Sequence, residues 1–253
     1  MNRKNETEKF LIKSVELARK AIINTNKTEK VAIAGSLSNF FALKENEFVP
    51  NPKFIPSYKQ EEKNYIEAAN ILKDSGVDLL ILEMLLDINH SEILLNAALQ
   101  TGLPVWVGLS CCESKFDNSI VGRNFRAEKE KSLIYDEEKY KEQPKFLPED
   151  DIVQFEDIIK TLTSIGGDVY GIMHTWFQDS SGGLKIIKDH WKGPMMYYPE
   201  IHKFDTSTHE AIAMSTEDEF ANSCLEFIDD QIQIIGGCCG VSDTHLKKLI
   251  EKF

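Results

Sequence analysis

Six short apolar runs recur along the chain, and each is followed by a stretch with helical spacing. They read "KVAIAG" (30–35), "VDLLILE" (77–83), "LPVWVGLSC" (103–111), "DVYGIMH" (168–174), "GPMMYYP" (193–199) and "QIQIIGG" (231–237). Runs of this kind are apolar on both faces of the pleat, so both faces must be covered. Such strands, separated by helices, imply a parallel sheet wrapped on the outside. Two closures satisfy that pattern: a doubly wound open sheet and a (βα) barrel. No G-x-G-x-x-G loop follows the first run, which counts against the dinucleotide-binding open sheet. The expected fold class is α/β with six strand–helix units visible, and the residues alone leave both closures open; a closed (βα) barrel would need eight units.

The helical stretches fit the same plan. "TEKFLIKSVELARKAII" has apolar residues at helical spacing, and "YKQEEKNYIEAANILKDSG" ends on Gly76 as a C-cap. "STEDEFANSCLEFIDD" is expected to open with Ser215 as its N-cap. Residues 113–150 are highly charged and aperiodic. They read as an excursion from one domain spanning 1–253 rather than as a linker, because the strand–helix rhythm resumes unchanged after them.

Charge and length narrow the partners. Lys and Arg total 29 against 41 Asp and Glu, a net charge of −12. That argues against nucleic acid or an anionic membrane as the main partner. No apolar run approaches the roughly 20 residues of a membrane span. "MNRKNETEKF" has no apolar core of a secretory signal, so the expected compartment is the cytoplasm. Thiols stay reduced there, and clustered cysteines suggest metal or catalysis more than a disulfide.

Polar and special residues gather at the ends of the apolar runs: Ser36 and Asn39, Glu83, Ser110 and Cys111, His174, Glu200, and Cys238 with Cys239. In both closures the carboxyl ends of the strands form the functional face. Cys238 and Cys239 are neighbours in a collar of glycine, "IIGGCCGVSD". Thiolates are strong zinc ligands, and glycines on both sides remove crowding so that both sulfurs can turn to one ion. Two small cysteines packed under a helix would read the same way. The residues alone leave both readings open. A thiol redox pair ranks lower, since the C-x-x-C spacing is missing.

"IIGGCCGVSDTHLKKL" resembles the C-terminal signature of the homocysteine S-methyltransferase family. The likeness continues in order along residues 10–253. "AGSLSN" resembles the family's third strand and its loop, "SGVDLLILEM" the fourth, "GLPVWVGLS" the fifth, and "GPMMYYPE" the seventh. GGCCG with its helix is specific; the other segments persuade as a series. The resemblance implies a TIM-type barrel and a zinc ion held by the GGCCG cysteines and a third cysteine ending strand six. It implies methyl transfer to the homocysteine sulfur, which forms methionine, from a sulfonium, quaternary ammonium or corrinoid donor. Homocysteine and a methyl donor would be the small-molecule partners. Glu83 stands where the family's strand-four glutamate holds the amino group of homocysteine.

The chain departs from the pattern in two places. "GIMHT" puts His174 where the family has its strand-six cysteine, so the implied metal ligands are His174, Cys238 and Cys239. The family's first two βα units, ending Asp-Gly-Gly and near Thr-Asn-Thr, have no counterpart. An unclosed sheet has two bare edges, so self-association or a strand-donating partner is expected. The alternative function is a non-catalytic zinc-binding barrel relative acting as an interaction subunit. Cys111, Cys112 and Cys224 are expected to be packing residues and His245 to be exposed. Trp106, Trp176 and Trp191 are left unassigned, although a tryptophan near the site would suit a cationic donor.

Overall fold

The order of the strands decides between the two closures. The computed structural model describes residues 6–27, 31–39, 41–42, 52–114, 117–123, 152–177, 179–205, 210–213 and 215–253. Six of its strands form one sheet: β1 (Ala34–Ser38), β2 (Leu79–Leu85), β3 (Val105–Leu109), β4 (Val169–Trp176), β5 (Met195–Glu200) and β6 (Ile232–Ile235). Each strand pairs in parallel with the next in sequence. A doubly wound sheet reverses its order at a switch point, whereas a barrel does not. The sheet is thus an arc of the barrel type, and among the described residues β1 and β6 do not pair to close it.

Helices α1 (Thr7–Asn24), α2 (Tyr58–Asp74), α3 (Asn89–Leu99), α4 (Phe155–Ile165), α5 (Ser180–His190), α6 (Glu217–Phe227) and α7 (Asp243–Lys252) alternate with the strands. The pleat sorts the strand side chains by parity. Leu80, Leu82, Val105, Val107, Tyr170, Ile172, Met195, Tyr197 and Ile232 belong to the main core cluster with the helices. Leu79, Ile81, Val169, Met173 and Met196 form a second, smaller cluster with Trp106, Tyr198 and Ile234 on the inner face. Inner Gly171 is required there, because a Cβ would stand 1.9 Å from the Met196 carbonyl oxygen. On β1 the inward Ala34, Ser36 and Ser38 are exposed, which marks the open side of the arc.

Aspartates tie neighbouring strands together at their amino ends. Asp78 accepts a hydrogen bond from the Ile33 N–H at 2.7 Å, and Asp168 one from the Val105 N–H at 2.8 Å. The C-cap of α2 is Ser75, and Gly76, with φ +84, stands one residue beyond it, where a left-handed glycine ends a helix.

Three expectations are corrected. The N-cap of α6 is Thr216, not Ser215: its hydroxyl accepts from the Glu219 N–H while the Glu219 carboxylate accepts from the Thr216 N–H. A capping box needs its acid three residues on, and only Thr216 has that spacing to Glu219. His245 is buried rather than exposed, because it packs edge-on to Phe220 and its Nδ1 accepts from the Ser242 N–H. The excursion is not aperiodic at its start. Cys112–Glu113 and Ile120–Arg123 pair antiparallel, and Ile152–Gln154 adds a third strand. Val121 is buried there, and the Arg123 N–H donates to the Leu86 carbonyl at 2.6 Å, so the ribbon is stitched to the segment after β2. Residues 124–150 lie outside the described set.

Candidate metal centre

Two strands break their ladder where the candidate residues sit. Between β2 and β3 the pairing runs from Leu82 with Val107 to Leu85 with Leu109. Between β4 and β5 it runs from Met173 with Tyr198 to Trp176 with Glu200. Each break inserts one extra residue, a bulge that bends the strand and re-aims side chains. Met84 and His174 carry the strain, with φ of 60° and 50°. A non-glycine residue there costs on the order of 1–3 kcal/mol and persists only where its surroundings hold it. Side chains from β3 and β4 do so at His174. Ser110 donates to the Met173 carbonyl at 2.9 Å, and Thr175 accepts from the Cys111 N–H at 3.0 Å.

The GGCCG segment follows β6 and is pinned to the end of β5. The Cys238 N–H donates to the Pro199 carbonyl at 3.1 Å, and the Ile201 N–H to the Cys239 carbonyl at 3.0 Å. The Val241 N–H closes a four-residue turn onto the Cys238 carbonyl at 3.1 Å. Gly240 is its third residue, with φ +86, the conformation that makes glycine the preferred residue at that place in a turn. The adjacent cysteines therefore sit on a fixed corner.

His174, Cys238 and Cys239 converge. The His174 Nδ1 lies 3.1 Å from the Cys238 sulfur and 3.8 Å from the Cys239 sulfur, and the sulfurs are 3.8 Å apart. Tetrahedral zinc, with Zn–S about 2.3 Å and Zn–N about 2.0–2.1 Å, separates two thiolates by about 3.8 Å and a thiolate from an imidazole by about 3.5 Å. The donor set fits the ion in type and spacing. The other imidazole nitrogen, Nε2, is 3.4 Å from Glu83, whose second oxygen accepts from Ser36 at 2.8 Å. A carboxylate on the far nitrogen orients a ligating histidine and raises its basicity. The hydrogen bond from His174, then that from Ser36, holds the Glu83 carboxyl below its usual range against the opposing effect of burial. Burial, then the neighbouring Cys239, pushes the Cys238 thiol above its ordinary range.

Other sequence candidates separate from this group. Cys111 and Cys224 are buried in the main core cluster, and Cys112 is half-buried. Asn39 turns into a second polar cluster with Glu61, Asp87, His90 and Ser91. Trp191 packs on Tyr170, and Trp106 joins the inner apolar cluster. Trp176 ends β4, two residues beyond His174, and stacks on Phe177. Two sets of three metal-type donors within 4.8 Å occur among the described residues. The second is Glu200, His202 and Cys239. Glu200 was legible as a strand-end acid. His202 was not, because it lies beyond the apolar run and no periodicity points to it.

The family model for homocysteine S-methyltransferase matches residues 1–133 and 151–253. The chain belongs to that family. Solved structures agree with the fold. The apo form of the homocysteine methyltransferase MmuM from Escherichia coli superposes with a TM-score of 0.65 at 16% identity, covering 98% of this chain and 74% of that one. The metallated form of the same enzyme gives 0.63 at 16% identity, over 97% and 71%. The oxidized form gives 0.61, again at 16% identity and over 97% and 71%. No curated protein matches the chain by sequence. The two cysteines of the GGCCG segment are two of the three converged donors. Among the described residues no helix is long and apolar enough to cross a membrane.

Proposed function

We propose that this chain transfers a methyl group to the sulfur of homocysteine, forming methionine, with zinc held by His174, Cys238 and Cys239. The observation that carries the reading is the convergence of those three donors at tetrahedral spacing. Three protein ligands leave a fourth position for substrate. Zinc bound there would supply a means of keeping an incoming thiol, ordinarily near pKa 8.5, in its thiolate form at neutral pH.

The chain's own residues do the rest. His174 is a neutral donor where the family carries a thiolate, so the ligand set bears one negative charge less and accepts an anionic sulfur more readily. The same change makes that sulfur less electron-rich. Glu83 spends one lone pair of each oxygen on Ser36 and His174, and the remaining acceptor capacity binds the substrate ammonium. In the transfer, the substrate reacts as its thiolate, the thiol proton having passed to solvent water. The sulfur lone pair forms the new S–CH3 bond, and the methyl bond to the donor breaks with its electron pair staying on the donor atom. Positioning is the protein's main contribution. Trp176 and Phe177 offer aromatic faces at the same rim for a cationic donor.

A reducing compartment such as the cytoplasm suits this site, because it keeps the cysteine ligands from pairing as disulfides. Self-association remains part of the proposal. Among the described residues β1 has one neighbour, and Phe10, Leu17 and Ile23 of α1 are exposed. Light scattering of the purified chain should give more than its 28.8 kDa monomer mass.

The test joins metal content to turnover. Reduced protein should carry zinc and methylate homocysteine from a sulfonium, quaternary ammonium or corrinoid donor, and Cys238→Ala should lose turnover and hold less zinc than the wild type. Zinc without transfer from any donor class would favour the non-catalytic interaction subunit. Full zinc content in Cys238→Ala would overturn the ligand set.

A further inference from the structure

Cys239 belongs to two donor sets. The imidazole of His202 and the carboxylate of Glu200 bring their ligand atoms within 4.8 Å of its sulfur and of each other. Their placement is built in. The backbone bonds Cys238 N–H to Pro199 carbonyl and Ile201 N–H to Cys239 carbonyl lock residues 199–201 against the cysteine corner. Glu200 and His202 flank Ile201, which is fully buried. Gly240 lets the two segments touch, since a Cβ there would stand 2.8 Å from the Cβ of His202.

A second, independent observation points to a ligand. The Nδ1 of His202 is buried and has no hydrogen-bond partner among the described residues. A buried ring nitrogen left unpaired forfeits its hydration without return, so such atoms are normally satisfied. Glu200 beside that histidine is half-buried, and a carboxylate partly withdrawn from water gains from a cation near it.

We propose that Glu200, His202 and Cys239 form a second metal position, which takes a borderline divalent cation such as Zn2+ and shares the Cys239 sulfur with the first. It rests on the zinc reading above for that shared thiolate. One carboxylate oxygen, one imidazole nitrogen and one thiolate are the ligand types zinc accepts, again with a fourth place open. A thiolate sulfur has lone pairs enough to bridge two ions. Two thiolates and one carboxylate set three negative charges against four positive ones, so the paired site carries a net positive charge and attracts an anionic substrate group. Histidine 174 and Glu83 take no part in the second position, so the two can be dissected.

The experiment is equilibrium dialysis of the reduced, chelator-stripped full chain against Zn2+, with bound metal counted by plasma mass spectrometry and folding followed by circular dichroism. Two ions per chain are expected in the wild type and one in His202→Ala. Glu200→Gln, a near-isosteric change, should also hold one ion and guards against misfolding of the histidine variant. One ion in the wild type, undiminished in both variants, overturns the second position and leaves the first standing. Two ions that survive both substitutions overturn it as well, because the second ion then lies elsewhere. No ion in the folded wild type overturns the zinc reading itself.

Discussion

Above the ends of β1 and β2, Glu61, Asp87 and His90 lie 1–2% exposed. At the metal centre, the side chain of His174 from β4 is 19% exposed and that of Glu83 from β2 is 30% exposed. Both regions put a histidine among acids at the same rim, but they spend their donors differently. His90 Nδ1 is 2.7 Å from Glu61, whose other oxygen accepts from Tyr65 at 3.0 Å. Asp87 accepts from the Ser91 N–H and hydroxyl, both at 3.2 Å, and the rings of Phe41 and Tyr58 close edge-on over His90. His174 Nδ1 instead faces two sulfurs, which are weak hydrogen-bond acceptors. The first region pairs most of its polar atoms internally, Asn39 Oδ1 being the buried exception among the described residues, and fastens α2 and α3 to the sheet. The second gathers donors that satisfy one another poorly, which is the condition for holding an ion.

That contrast can be broken from the closed side first. Glu61→Ala removes one carboxylate partner of the buried His90 and should destabilise folding by about 3–5 kcal/mol, read by urea unfolding. Its zinc content should stay at the wild-type value. A loss under about 1 kcal/mol would mean that the cluster is not what secures the helices. On the open side, Glu83→Gln should weaken homocysteine binding by about 1.5–3 kcal/mol in calorimetry, with little change in folding stability. Unchanged affinity would make Glu83 an orienter of His174 alone.

A smaller effect is expected at the corner that carries the cysteines. Gly240→Ala forces a side chain into left-handed backbone at a cost of about 1–2 kcal/mol and presses on His202. Urea unfolding measures the cost, and wild-type stability in the variant would show that the turn adapts. The smallest effect is one of pH. Burial raises the Asp87 carboxyl above its ordinary 3.8, against hydrogen bonds and the attraction of His90. A raised folded value means that the native state holds the proton longer than the unfolded chain. Wild-type stability relative to Asp87→Asn should therefore fall as pH rises from 3.8 through the raised value, then level off. Parallel stability curves for the two proteins between about pH 4 and pH 7 would remove the shift.

Much of this was legible in the chain. Six runs apolar on both faces could only be covered as parallel strands between helices, and that pattern needs no tertiary information. The cysteine pair was legible because its glycine collar marks a tight corner, and the family signature added a third ligand position. Asn39 looked equivalent to the other strand-end polar residues, yet it turns into the closed cluster, donating to Ser91 at 3.3 Å. Nothing in its neighbours' spacing distinguishes those two fates.

What only the tertiary structure decided is which way the critical side chains face. Strict alternation along β4 puts Met173 inward and His174 outward. The bulge at His174 cancels that alternation, so Met173 fills the inner apolar cluster and His174 still reaches the cysteines. Likewise, the chain order set Glu200 and His202 some forty residues from Cys239, and only the β5–β6 pairing laid them against it. Side-chain parity can be counted from a sequence as long as the ladder is regular. An inserted residue changes the count, and its presence is recorded in the register with the neighbouring strand rather than in the strand's own residues.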